Sequence, residues 1–240
     1  MKVENNHLNT IVLPGVTSYP NGWERKVLEI DLLNIREIAL FPTSIELDER
    51  KKLYQALQQT GLKKIPHVHL RHDMDEWELQ LFVEKFGTEV FNIHGSKRAF
   101  RLLDFKKYRS MIYIENSDYF DEYFDKSLSL SAGLCIDYSH WHDYGRIQKF
   151  DGYDRFDKLV KKYPIGCGHL SSILAKPYKE DYGHGAKTHF NSHKLTTLSE
   201  VNYIKNYLDC LPRYLSIELQ NSLAEQLEIK TYVEKLIENK

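Results

Sequence analysis

The sequence predicts an α/β protein of the (β/α)8 TIM-barrel class, with eight parallel strands inside a ring of helices. Short apolar runs alternate with helical patterns along nearly the whole chain, and most of the runs end in a residue that is costly to bury. Size agrees: 240 residues suit one such barrel as a single domain over 1–240.

The first strand is expected from Thr10 to Leu13, broken by Pro14 and Gly15. Arg36 to Phe41 reads as the second, stopped by Pro42. Thr43 to Glu46 (TSIE) has the spacing of a capping box and predicts a helix with Leu53 and Leu57 on one face and Gly61 after it. Ile65 to Leu70 (IPHVHL) is the third strand. Asp75 to Glu78 (DEWE) opens a helix with Leu79, Phe82, Val83 and Phe86 on one stripe, ended by Gly87. Glu89 to Ile93 is the fourth strand, with a short amphipathic segment from Lys97. Met111 to Ile114 is the fifth, and the Tyr- and Asp-rich stretch after it has room for a brief helix. Gly133 to Ile136 is the sixth, followed by a helix near Tyr153 to Lys162. Pro164 to Gly168 and Tyr214 to Ile217 are the seventh and eighth. Ser222 to Glu225 (SLAE) is a second capping box, heading a terminal helix through Leu227, Val233, Leu236 and Ile237. Only the stretch from Leu170 to Lys194 breaks the rhythm. It is rich in Gly, His, Lys and Tyr, too polar for a core element, and reads as a functional loop.

Charge is balanced, with 33 Lys and Arg against 34 Asp and Glu, so no global basic field points to nucleic acid. The 3 cysteines have no CxxC spacing and suit a reducing compartment. Cys135 and Cys167 sit inside apolar strands as core fillers, and Cys210 at a helix end. There is no basic-then-apolar leader pattern and no apolar run of membrane-spanning length, so a cytoplasmic protein without a membrane partner is expected. A homo-oligomer is compatible with all of this.

The residues that close the strands are His69, His94, Glu115, Asp137, His169 and Glu218. Strand carboxyl ends meet at one face of a barrel, so these side chains share a mouth whatever their distance in sequence. One such ending is more often a satisfied polar group than a ligand; the ordered set argues for a divalent cation that offsets the desolvation. Asp137 to His140 (DYSH) adds a second ligand type one turn beyond its strand. Three carboxylates and an imidazole suit Mn²⁺ or Zn²⁺, with Co²⁺ or Mg²⁺ also compatible, and disfavour copper or iron–sulfur chemistry. His69 and His94 offer nitrogen to a second metal, which would favour zinc. Blander readings cover the neighbours. His67 reads as core packing or support for a ligand. His72 and Asp73 read as a solvated loop, and His142 and Asp143 as ligand-orienting or surface residues. The aromatics from Tyr113 to Tyr123 either stack a ring or pack a loop, and Lys176, Lys179 and Lys187 either grip a phosphate or face solvent.

The segments VHL at His69, NIHG at His94, YIEN at Glu115, CIDYSH at Asp137 and His140, CGHLSS at His169 and SIEL at Glu218 resemble the xylose isomerase-like TIM-barrel superfamily. That group includes sugar isomerases, ketose 3-epimerases and DNA-repair nucleases of the endonuclease IV type. The resemblance runs from strand two to strand eight. Similarity to the epimerases implies that Glu115, Asp137, His169 and Glu218 hold one catalytic metal, with His140 beside the substrate. Similarity to the nuclease implies that these residues, with His69, His94 and His140, share three zinc ions. The nuclease also has an Asp-x-His pair after strand seven; here Asp181 to His184 (DYGH) is one residue longer, leaving His184, His189 and His193 as candidates. The expected function is therefore isomerisation or epimerisation of a carbohydrate-like small molecule, Glu115 and Glu218 acting as acid and base and His140 bonding the developing oxyanion. A zinc phosphodiesterase or abasic-site nuclease is the alternative, and a catalytically silent barrel that only binds is a third.

Overall fold

In the computed structural model, residues 10–18, 22–117, 119–181 and 186–239 are described. Pro14 divides the first strand in two. Without an N–H it cannot continue a ladder, and β1 (Ile11–Leu13) and β2 (Gly15–Thr17) lie either side of it. β2 pairs in parallel with β3 (Glu37–Phe41), and β4 (Lys64–His69), β5 (Val90–His94), β6 (Ile112–Glu115), β7 (Gly133–Asp137) and β8 (Ile165–Leu170) follow in turn. The last barrel strand, β11 (Tyr214–Ile217), pairs with both β8 and β1. Since β1 and β2 are consecutive, the parallel sheet closes on itself as a TIM barrel.

The seam depends on Gly15. A Cβ there would stand 2.0 Å from the carbonyl oxygen of Ile217. Gln226, fully buried on α8 (Leu223–Glu238), replaces the interrupted ladder. Its Oε1 accepts from the Gly15 N–H at 2.7 Å, and its Nε2 donates to the Gly15 carbonyl at 3.0 Å.

Alternation along the strands builds two cores. Leu13, Ala39, Phe41, Val90, Cys135, Cys167 and Tyr214 cluster inside the barrel. Their neighbours, among them Val12, Leu40, Val68, Phe91, Ile114, Ile136 and Leu215, join the larger core beneath the helices. Those helices are α1 (Trp23–Leu32), α2 (Leu47–Gln58), α3 (Glu76–Phe86), α4 (Phe100–Leu103), α5 (Glu122–Leu130), α6 (Tyr138–His140), α7 (Tyr153–Lys162) and α8, with a 3₁₀ segment at Leu198–Cys210. Both ends of α3 are as expected: the Asp75 N–H donates to Glu78 Oε1, and Gly87 adopts φ 61°. At the start of α8, Ser222 Oγ accepts from the Glu225 N–H. No helix of the described residues is long and apolar enough to cross a membrane.

Three expectations need correction. The Thr43 capping box is not used: α2 begins at Leu47 with Glu46 before it, and the Ser44 N–H donates instead to Ser18 Oγ. Helix α1 has no counterpart in the sequence reading; exposed Leu28 and Leu32 blur the stripe made by its buried Trp23, Val27 and Ile30. The polar stretch after β8 is an antiparallel hairpin, β9 (Ser172–Asp181) and β10 (Ala186–Ser192). It carries no apolar period because backbone pairing and one carboxylate hold it. That carboxylate is Asp143, fully buried, which accepts from the N–H groups of Phe190 and Asn191, from Asn191 Nδ2 and from Gln148 Nε2.

Candidate metal centre

Strand register brings the ligands together. His94 pairs with Glu115 and Asp137 with His169 on neighbouring strands, so each pair stands at one height on the inner face. Glu218 directly follows β11, its N–H bonded to the Leu170 carbonyl. Glu115 Oε2 lies 2.9 Å from His69 Nε2 and 3.3 Å from His169 Nε2, and Oε1 lies 3.7 Å from His94 Nδ1. His169 Nδ1 is 3.0 Å from Glu218 Oε2 and 3.7 Å from Asp137 Oδ2. His140 Nδ1 stands 3.1 Å from the same Asp137 oxygen. The structure thus gathers His69, His94, Glu115, Asp137, His140, His169 and Glu218 in one cluster; His184 lies outside the described residues.

Their donor atoms form three sets, each within 4.8 Å: His69–His94–Glu115, Glu115–Asp137–His140 and Asp137–His169–Glu218. The bonding inside the cluster fits a cation. His69 Nδ1 donates to the Leu70 carbonyl at 2.9 Å, which turns Nε2 towards Glu115 Oε2, and Glu115 raises the imidazole's pKa against its burial. A ring N–H donated to a backbone carbonyl is also the usual second bond of a metal-ligating histidine. Among the described residues His169 Nε2 and His140 Nδ1 are buried without a hydrogen-bond partner, although carboxylate oxygens lie 3.3 and 3.1 Å away. These groups point at shared space more than at each other.

The charge state agrees. Burial alone would raise the Glu218 carboxyl, but His169 and His193 outweigh it and hold its pKa at about 2. Glu115 is likewise held well below the carboxylate range against burial by His94, His169 and His69. Conversely, Glu115, Glu218 and Asp137 raise His169 despite its burial. The carboxylates thus stay ionised, and the histidines around them share their negative field.

Residues the sequence reading passed over support the cluster. Asn92, two residues before His94 and on the same face of β5, donates from Nδ2 to Glu115 Oε2 at 2.5 Å. Its Oδ1 can only accept, so His67 Nε2 donates to it at 2.8 Å, and His67 Nδ1 accepts from Ser216 Oγ at 2.7 Å. His67 therefore holds Asn92, and through it Glu115, in place. Asn116 holds both the N–H and the carbonyl of Asp137, and Ser139 Oγ donates to Asp137 Oδ1. Of the remaining candidates, Asp73 pairs with Arg50 and Arg71, His142 bonds Tyr207 OH, and Tyr113 packs within the inner core. Lys176 and Lys179 are exposed on β9.

The cluster floors a cavity of about 370 Å³ lined by His69, His72, Glu115, Asp137 and Glu218, among others. It adjoins a larger one of about 700 Å³ beneath the hairpin, and both share Thr43, His94, Ser96, His140, His193 and Glu218. His193 Nδ1 donates to the Glu218 carbonyl at 3.1 Å, which fixes the ring over that residue.

No protein-family model matches the chain, and no curated protein does. Among solved structures, a xylose isomerase domain protein from Planctomyces limnophilus superposes on 97% of this chain and 98% of its own, with TM-score 0.51 and 12% identity. The chain shares the TIM-barrel fold of that protein. A xylose isomerase-like TIM barrel protein from Mycobacterium smegmatis, crystallised in complex with magnesium, covers 96% of this chain and 97% of its own at TM-score 0.49 and 13% identity. At 12% identity the first likeness shows the barrel fold alone and leaves the chemistry to the site.

Proposed function

We propose that this xylose isomerase-like barrel is a metal-dependent enzyme that isomerises or epimerises a carbohydrate. The observation that carries the reading is that Glu115 and Glu218 bracket the His169 ring, 3.3 Å from Nε2 and 3.0 Å from Nδ1, and both line the inner cavity. Moving a proton off a carbon and returning it elsewhere, or to the other face, needs two carriers reaching one substrate from different directions. Carboxylates from β6 and from the end of β11 meet that need.

Glu115, Asp137, His169 and Glu218 would hold one divalent cation, Mn²⁺ or Zn²⁺ suiting the donors best. When bound, the cation supplies Lewis-acid polarisation of a carbonyl and its neighbouring hydroxyl. Glu218, which lines both cavities, takes the proton from carbon. Glu115 carries the proton on the opposite side. His140, also lining both cavities, donates to the oxygen on which charge develops. Asn92 keeps Glu115 oriented. Its replacement by Leu is expected to weaken metal affinity by about 10- to 100-fold, read by chelator competition. Unchanged affinity would remove Asn92 from that role.

A hydrolytic reading rests on one specific observation: the donor sets share Glu115 and Asp137, as bridged metal ions would require. Two or three zinc ions there suit a phosphodiesterase or abasic-site nuclease. Against duplex binding stand the formal net charge of −1 and the hairpin residues Tyr178, Glu180 and Lys187 lining the way to the cluster. Elemental analysis of protein purified without chelator separates the two: one manganese or cobalt per chain supports isomerisation, two or three zinc ions hydrolysis. The His69→Ala/His94→Ala double variant refines the count. If these histidines hold a second ion, stoichiometry falls by one and the Glu115–Asp137–His169–Glu218 set stays loaded; an unchanged count removes the main support for hydrolysis.

A further inference from the structure

We infer that the outer cavity is a second sugar subsite, and that the substrate is a neutral saccharide of at least two rings. The inference rests on the isomerase reading for the ring at the metal cluster; the subsite beyond it stands on four observations of its own.

The first is space. The inner cavity of about 370 Å³ already accommodates one sugar, and the adjoining 700 Å³ extends it into the range filled by ligands of several rings. The second is the lining. Ser117, Asn191 and Gln220 present uncharged donors and acceptors, and Tyr119, Tyr144 and Tyr178 add aromatic surface with polar tips. Hydroxyl groups of a sugar match the former, and its C–H faces match the rings. The third is charge. Lys187 and Lys194 line the cavity, and so do Glu180 and Glu218; Lys187 faces Glu180 in register across the hairpin. Lys187 is thus matched by Glu180 within the outer wall, and this pairing favours an uncharged ligand over a phosphate there.

The fourth is rigidity. Asp143 takes three hydrogen bonds from Phe190 and Asn191 of β10, and Tyr144 OH bonds His189 Nδ1 at 3.1 Å. The Tyr178 and His189 rings lie 5.6 Å apart. The hairpin wall is therefore preorganised, yet Tyr178 remains 36% exposed. Preorganised aromatic surface lowers the entropic cost of binding.

The test is binding of the purified protein to an array of neutral mono-, di- and trisaccharides beside sugar phosphates and sugar acids, then calorimetry with the best glycan and its component monosaccharide. A neutral disaccharide or trisaccharide is expected to bind at least about tenfold more tightly than its component monosaccharide. Tyr178→Ala should remove most of that difference and leave monosaccharide affinity unchanged. Equal affinity for one ring and two, preference for phosphorylated or acidic sugars, or binding to no glycan would each overturn the subsite. A disaccharide bound tightly but never interconverted sinks the isomerase reading and leaves the subsite intact. A monosaccharide turned over without any gain from a second ring does the reverse.

Discussion

Glu218→Gln is expected to lower turnover by about 10²- to 10⁴-fold on any substrate the parent accepts, with the fold unchanged. Glutamine keeps the volume and can still occupy the place beside His169, 3.0 Å from Nδ1. It cannot take up a proton from carbon, and it removes one negative charge from the set around that ring. Steady-state turnover and circular dichroism on the same preparation check both halves. Metal content should be measured alongside, so that lost chemistry is told apart from a lost ion. Wild-type turnover with the metal bound would mean that Glu218 is not the proton carrier. A silent barrel that only binds would show no parental activity to lose.

The second large effect lies away from the mouth. Arg50 on α2 is fully buried and forms a forked pair with Glu78 on α3, Nε to Oε2 at 2.8 Å and Nη2 to Oε1 at 3.1 Å. Tyr54 OH donates to Glu78 Oε2 at 2.7 Å, and Arg50 also bonds the Ile45 carbonyl and Asp73. Every charge here is matched, which makes the loss of one partner costly. Arg50→Met should reduce stability by about 3–5 kcal/mol, because it strands a buried carboxylate. Arg50→Met combined with Glu78→Leu should recover at least half of that, since neither charge is then desolvated. Urea unfolding of the single and double variants decides. A double variant no more stable than the single one would show that shape, and not charge pairing, joins these helices.

The barrel class was legible in the sequence because its signals are local. Buried parallel strands read as short apolar runs wherever they occur. A carboxylate or imidazole at the end of such a run stands out without knowledge of its neighbours, and this marked His69, His94, Glu115, Asp137, His169 and Glu218. The boundaries of α3 and α8 were readable for the same reason: a cap and its partner lie three residues apart. What escaped the sequence depends on partners far along the chain. For His67 the sequence left core packing and a supporting role both open, and only β11 decides between them by bringing Ser216 to it, 149 positions away. Asn92 acquires its meaning only from the register of β5 against β4 and β6, which sets one amide between His67 and Glu115. The closure at Gly15 requires Gln226 from the last helix, 211 positions away. The hairpin over the mouth has no apolar pattern to announce it, because its anchor is the buried Asp143 on a different segment. Periodicity records which face of a strand meets a core, and it carries no trace of the polar group that waits on that face from another strand.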